Sequence, residues 1–247
     1  KWITRREENT PAMAYVHNFG TVTKDGKDGF LMIGYDDIYS IEYMYEKRMG
    51  YWKHDGKVTI FEAFEKLRDN YQSIMERCRA LDELIYNDAE KAGGKKYAEI
   101  CSAAYRQVIS AHKLFTDKEG NLMWFSKENN SNGCINTVDL TYPSAPLFLV
   151  YNPDLQKAMM TSIFEYSASG RWDKPFAAHD LGTYPIANGQ VYSGDMPIEE
   201  SGNMVILTAA ISKIEGNADY AKKYWDILTT WTNYLVEYGQ DPENQLC

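Results

Sequence analysis

The chain has 247 residues, and its 26 lysines and arginines against 35 aspartates and glutamates leave a formal charge of −9. With 44% hydrophobic and 25% charged residues it is composed like a globular protein, which excludes wholesale disorder. A pI near 5.0 argues against a nucleic-acid binder, which needs a basic stripe to release phosphate counterions. No apolar run approaches the ~18 residues of a membrane span. The 14% aromatic share is dominated by 19 tyrosines, whose flat ring and polar tip suit the lining of a wet pocket.

In chain order, the N-terminal KWITRREENTPAMAYV has neither an initiator Met nor an apolar signal core, and DPENQLC is an equally abrupt end. Together they are read as a processed or excised section. Alternation in AYVHNF and the turn residues Lys24, Asp25 and Gly26 predict a short β-hairpin. DDIYSIEYMYEK predicts a weak helix near residue 40. Ile60, Phe64, Leu67, Tyr71, Ile74, Cys78, Leu81 and Ile85 alternate steps of four and three, which predicts one long helix with a buried face. After the Gly93–Gly94 break, a second stripe runs from Tyr97 through Ile100, Cys101, Val108 and His112 to Phe115, so the two should form an αα-hairpin.

Further along, Asn152–Pro153 reads as a cap followed by a first-turn proline, with Gly170 as the stop. Another helix is expected over residues 199–215, ending at Gly216. Asn217 then caps a final helix, closed by Gly239, with Tyr220, Tyr224, Ile227, Trp231, Tyr234 and Tyr238 as its stripe. The expected architecture is all-α: an αα-hairpin array of about six helices, one mostly helical domain over residues 1–247, with room for one β-hairpin. Residues 117–152 and 171–198 lack helical periodicity and exceed the ~15 residues beyond which structureless loops become uncommon. They are where a site is expected.

The four cysteines, Cys78, Cys101, Cys134 and Cys247, are too scattered for a zinc pattern; Cys78 and Cys101, on helical stripes, are expected as buried free thiols. P-loop, GxGxxG, HExxH, GxSxG and CxxC signatures are absent. Ser110 and Lys113 have penicillin-binding-type spacing but fall mid-helix without partner motifs. His17, His54 and His112 look structural. His179 differs, because Asp180 follows it inside the second long loop. Hydrolysis by an activated water needs two groups with separated pKa values, and Asp37, Glu128, Asp139, Asp180, Glu199 and Glu200 lie in the loops or at loop–helix junctions. Glu199 and Glu200 begin a helix, where dipole capping is their simplest role.

Seven strings, GYDDIYSIEY, AYRQ, FSKENNSNG, VDLTYPSAPLFLVYNP, RWDKPFAAHDLGTYPIANGQVY, MPIEESGNMVILTAA and DPENQLC, occur in order along nearly the whole chain and together resemble the glutaminase A family of secreted fungal and related gut-type bacterial proteins. The resemblance implies hydrolysis of the side-chain amide of L-glutamine to glutamate and ammonia. It also implies part of an (α/α)6 six-hairpin toroid, no organic cofactor and a secreted or periplasmic location. The partners it implies are a small-molecule substrate and the rest of the same polypeptide: a β-rich N-terminal part and further C-terminal helices.

No catalytic set transfers from the family, so the residues must be chosen on chemistry. Glutamine requires a carboxylate for its α-amino group, for which Asp180 and Glu200 are candidates. It also requires a cation or backbone N–H groups for its α-carboxylate, for which Lys127 and Arg171 are candidates. The expected hydrolytic pair is Asp180 with Glu199 or Glu200; Ser126, Ser144 or Ser201 as an acylated nucleophile is the rival. Glu128, Asp139 and His179 complete the binding set, with Tyr142, Trp172, Tyr184 and Trp124 as pocket walls. On this reading Asp180→Asn abolishes turnover and leaves the melt nearly unchanged. Two other outcomes stay open: a glycoside hydrolase with paired carboxylates, and a catalytically incomplete fragment. Whether a metal is bound stays open as well.

Overall fold

The computed structural model describes residues 2–4 and 11–242, in two compact units, Lys1–Gly34 and Tyr35–Cys247. Cys247 and the end of the DPENQLC string lie outside the described residues. In the first unit, β1 (Trp2–Thr4) pairs antiparallel with β2 (Pro11–Met13). The expected turn closes, with Gly26 N donating to Thr23 O at 3.0 Å and Gly26 at φ +72°. AYVHNF, however, is exposed and forms no strand among the described residues, and the strands that do pair precede it.

The second unit opens with a β-hairpin where a weak helix was expected. β3 (Ile41–Tyr43) pairs with β4 (Glu46–Arg48) across Met44 and Tyr45, both at positive φ. Period two wins here because Ile41 and Tyr43 point into the core while Glu42 is only half-buried. Asn188 Oδ1 accepts from Tyr45 N at 2.7 Å and so supports the strained turn.

The expected long helix is two helices. α1 (Ile60–Asp69) starts at a capping box, in which Thr59 Oγ1 accepts from Glu62 N and Glu62 Oε2 accepts from Thr59 N. It stops at Asn70, whose side-chain amide donates to Lys66 O at 2.8 Å and competes with the helical ladder. α2 (Tyr71–Gly93) then packs on α3 (Lys95–Ser110). Only Ile85 and Ala89 of α2 and Ala98 of α3 are buried, so the expected buried face is largely open. Phe61, Leu84 and Ile100 stand exposed, and so does Cys78, contrary to expectation, while Cys101 is half-buried; both are free thiols.

α3 also ends earlier than its stripe. His112 and Phe115 belong to β5 (His112–Thr116), which pairs with β6 (Leu122–Ser126) in register His112↔Ser126. The turn between them is held by Asp117 Oδ1, which accepts from Asn121 N at 2.7 Å.

A helix then appears inside the first expected loop: α4 (Val138–Tyr151), which contains Pro143 and Pro146. Each proline removes one ladder bond, to the carbonyls of Asp139 and Tyr142. Packing compensates, because Val138, Thr141, Ala145 and Phe148 form a buried stripe. α5 (Pro153–Ala168) starts as expected, with Asn152 Oδ1 accepting from Leu155 N at 3.3 Å. α6 (Pro197–Glu215) ends at Gly216 in the left-handed region.

The expected last helix breaks at Tyr224 into α7 (Asp219–Lys223) and α8 (Trp225–Tyr238). The break places Tyr224 in a face-to-face stack on Phe164, centroids 4.2 Å apart. Helices α2 and α3, α4 and α5, and α6 and α8 make three successive hairpins, an all-α array carrying small sheets. α5 is apolar or small nearly all round and lies at the centre of the core, with Met160, Ile163 and Phe164 fully buried.

Candidate functional site

Two stretches expected to be loops join by backbone hydrogen bonds. Ile135 N donates to Gly182 O (2.8 Å), Leu181 N to Ile135 O (3.0 Å), and Tyr184 N to Gly133 O (3.1 Å). The second loop also reaches β3 through β7 (Ile186–Ala187), which runs parallel to it. At the end of this seam His179 O accepts from Val138 N at 3.0 Å, satisfying the first N–H of α4. His179 is thereby held beside Asp139, in the first turn of α4.

Asp180 is fully buried and its carboxylate is saturated. Oδ1 accepts from the backbone N–H of Gly182 (2.8 Å) and Val191 (3.0 Å), and Oδ2 from that of Tyr192 (3.1 Å). Oδ2 also lies 3.0 Å from His179 Nδ1. An ionised carboxylate can only accept, so Nδ1 is the donor in this contact and Nε2 is the ring nitrogen left to face the cluster. The imidazole stacks on Tyr192, centroids 4.3 Å apart, and Gln190 Oε1 accepts from His179 N at 2.8 Å. Asp180 thus holds the imidazole in one orientation.

Nε2 of His179 lies 4.0 Å from Asp139 Oδ2, and donor atoms of Asp139, His179 and Glu200 lie within 4.8 Å of one another. Asp139 Oδ1, Glu199 Oε2 and both carboxylate oxygens of Glu200 are buried without a hydrogen-bond partner among the described residues. Burial pushes Glu200 up to about 10, reinforced by the charges of Asp139 and Glu199 and opposed by the Asp139 backbone. Glu199 is raised by burial and by Asp139, while His179 draws it down. The Cys134 thiol, a neighbour that sequence reasoning passed over, is pushed up to about 12 by burial, then by Asp180, Glu128 and Asp139. It is therefore a thiol, and no nucleophile, at neutral pH.

The remaining sequence candidates distribute as follows. Glu128 turns to Thr137, whose hydroxyl donates to its Oε1 at 3.1 Å, and also pairs with Ser131. Lys127 Nζ lies 4.7 Å from the centre of the Tyr184 ring. Tyr184 O–H donates to Asp37 Oδ2 (3.4 Å), which also takes Lys113 Nζ at 2.9 Å. Arg171 and Trp172 lie apart from the cluster. Arg171 lines a cavity of about 530 Å³ with Glu165 and Lys223, and Trp172 Nε1 donates to Phe176 O at 2.6 Å. Tyr142 is exposed on α4, and Trp124 stacks on His112.

Of the three serines, Ser144 donates to Thr141 O and Ser201 accepts from Ala177 N, both at 3.0 Å. Ser126 is buried without a partner. None is hydrogen-bonded to a histidine or carboxylate among the described residues, so an activated serine has no geometric support. Ser110 closes α3 by donating to Gln107 O, away from Lys113 on β5.

Comparison with known proteins places the chain among relatives. The model of the glutaminase A six helical-hairpin domain matches residues 94–247, and that of a domain of unknown function matches residues 2–88. The chain is 35% identical over 246 residues to Glutaminase A of Aspergillus oryzae, an alignment covering 96% of this chain and 35% of that protein. It is 35% identical over 160 residues to a probable glutaminase of Arthroderma benhamiae, covering 62% of this chain and 18% of that one. The chain thus spans about a third or less of the length of these curated relatives. No solved structure matches it.

Proposed function

The chain belongs to the glutaminase A six-hairpin family, and from that membership we propose that it takes part in hydrolysing a side-chain carboxamide, L-glutamine first among them, to a carboxylate and ammonia. The observation that carries this reading is the convergence of Asp139, His179 and Glu200, whose donor atoms lie within 4.8 Å of one another with Asp139 Oδ1 and both Glu200 oxygens unpartnered, and with Glu199 near enough for its charge to act on Glu200. Buried polar atoms are nearly always satisfied, so orphans converging on one point mark a place where something polar binds.

Glu199 is the proton carrier in this scheme. Its carboxylate is half-buried and more basic than a free one, which moves it towards the range where a general base works. It takes a proton from a water as the water oxygen attacks the carboxamide carbon. It then returns that proton to the nitrogen as the C–N bond breaks, leaving a carboxylic acid and ammonia. His179, fixed by Asp180, orients the water. Lys127 is the candidate cation on the seam side for the substrate's α-carboxylate; Arg171 lines a different cavity.

The donor atoms here come within 4.8 Å, closer than the ~6.5–9.5 Å of an inverting glycosidase but near the ~5–5.5 Å of a retaining one, so an assay separates the amide and glycoside readings. The test measures ammonia from glutamine and asparagine beside release from chromogenic glycosides. Ammonia release is expected, and Glu199→Gln should lower kcat by ~10²–10⁴ with stability within ~0.5 kcal/mol of wild type. Sugar release without ammonia, or an undiminished Glu199→Gln variant, would overturn the proposal.

A further inference from the structure

We propose that Asp139, His179 and Glu200 form a binding site for one divalent transition-metal ion of the zinc or manganese class. Two carboxylates and one imidazole make a mixed oxygen–nitrogen donor set. Imidazole favours transition ions over magnesium and calcium, which prefer oxygen throughout. The donor atoms already lie within 4.8 Å of one another. Ligands at ~2.0–2.2 Å from an ion sit closer together than that, so binding draws the two carboxylates in towards the fixed imidazole. Three protein ligands with a position left open is the arrangement of catalytic rather than structural zinc.

Two observations independent of the ligand geometry point the same way. The first is Glu200, which is fully buried with both carboxylate oxygens unpartnered. An ion bound by Glu200 and Asp139 satisfies those atoms, and once Glu200 has released its proton to solvent the ion's two positive charges balance the two carboxylates. The second is the support behind His179. A metal-bound imidazole characteristically donates its other ring N–H to a carboxylate, which fixes its tautomer and raises its basicity. Asp180 occupies that position 3.0 Å from Nδ1, and three backbone N–H groups hold it there. Nε2, the other ring nitrogen, lies 4.0 Å from Asp139 Oδ2.

The role of such an ion in amide hydrolysis rests on the hydrolase reading above; its binding does not. Bound there, the ion would acidify a water and polarise a carbonyl, next to Glu199.

The test uses protein stripped with chelator and then dialysed against Zn²⁺, Mn²⁺, Mg²⁺ or Ca²⁺, with bound metal counted by elemental analysis. About one equivalent of zinc or manganese is expected, along with a rise in the melt of a few degrees; magnesium and calcium should do neither. His179→Ala and Glu200→Gln should each weaken binding at least ~100-fold, and Asp180→Asn, which acts through His179, ~10–100-fold. Substitution of the wild-type protein with Co²⁺ gives a visible absorption spectrum that reports ligation without any variant having to fold. A wild-type protein that retains none of these ions, or equal zinc binding by folded His179→Ala and Glu200→Gln, would overturn the site. Zinc binding without ammonia release sinks the hydrolase reading and leaves the site standing. Ammonia release by a protein that binds none of the ions does the reverse.

Discussion

Asp180→Asn separates two accounts of the same residue. Asparagine keeps the shape, and its oxygen can still accept from Gly182 and Val191. Its amide then faces the N–H of Tyr192 and the N–H on His179 Nδ1, a donor against two donors. A change of imidazole tautomer rescues one of these contacts and leaves the other orphaned in a fully buried place. Hydrogen bonds to a charged acceptor contribute ~1.5–3 kcal/mol each, so losing the one contact that the tautomer change cannot rescue costs about 1.5–3 kcal/mol. That is a large share of the ~5–15 kcal/mol typical of a domain. At ~2–4 °C per kcal/mol for a domain of ~150–250 residues, the melt should fall by ~3–12 °C. Sequence reasoning, with Asp180 as acid or base, expects no such fall. Calorimetric melts of the variant beside wild type decide the matter, with amide exchange at Tyr192 as a local check. A melt within ~2 °C of wild type, with Tyr192 as protected as before, would refute the positioning role derived from the structure.

Burial holds the His112 imidazole, stacked on Trp124, down to about 4, against the pull of the Val108 carbonyl. The unfolded chain, with an ordinary histidine near ~6.5, therefore takes up its proton first. This contribution is complete above pH ~6.5 and lost as pH falls towards 4, about 3 kcal/mol in all; denaturant titrations at pH 7.5 and 4.5 should show it, and His112→Phe should flatten that part of the slope. Gly182 sits at φ +137°, where a Cβ would come within 2.1 Å of the Ile186 carbonyl oxygen. Gly182→Ala should therefore cost more than ~3 kcal/mol, through strain and the backbone shift that pulls its N–H away from Asp180. Gly170→Ala, at φ +76° in open space, should cost ~1 kcal/mol; equal melts for the two variants would contradict this reasoning.

What could be read in the sequence was whatever short-range chemistry enforces. Asn152 and Pro153 start α5, and Gly216 stops α6, because caps and left-handed stops are local. α4 was hidden for a reason the structure makes plain. Its buried positions, Val138, Thr141, Ala145 and Phe148, have helical spacing, but two of the four are weakly apolar, while Leu140 and Val150 face outward and two prolines interrupt. His112 and Phe115 are spaced by three, which suits a helix, yet the run HKLFT also suits a strand. Only LMWFS across the turn of residues 117–121 decides between them, through pairing rather than through any property of the first segment.

The same limit operates inside the site. That His179, Asp180, Glu199 and Glu200 carry chemistry is legible from their types and their place in a loop or first helical turn. How the work divides among them is not, because it depends on where backbone N–H groups point. Asp180 faces those of residues 182, 191 and 192, a consequence of the loop doubling back on itself. Such saturation makes a carboxylate a poor acid or base and a good support, since every proton position is already committed. Asp139 is the converse case. In the sequence it is one acidic residue ahead of a proline-broken apolar run; in the fold, the His179 carbonyl caps the first N–H of its helix, and its carboxylate faces that histidine's free nitrogen. One backbone seam therefore both starts α4 and assembles the cluster, so a perturbation of the seam at Gly182 should disturb fold and site together.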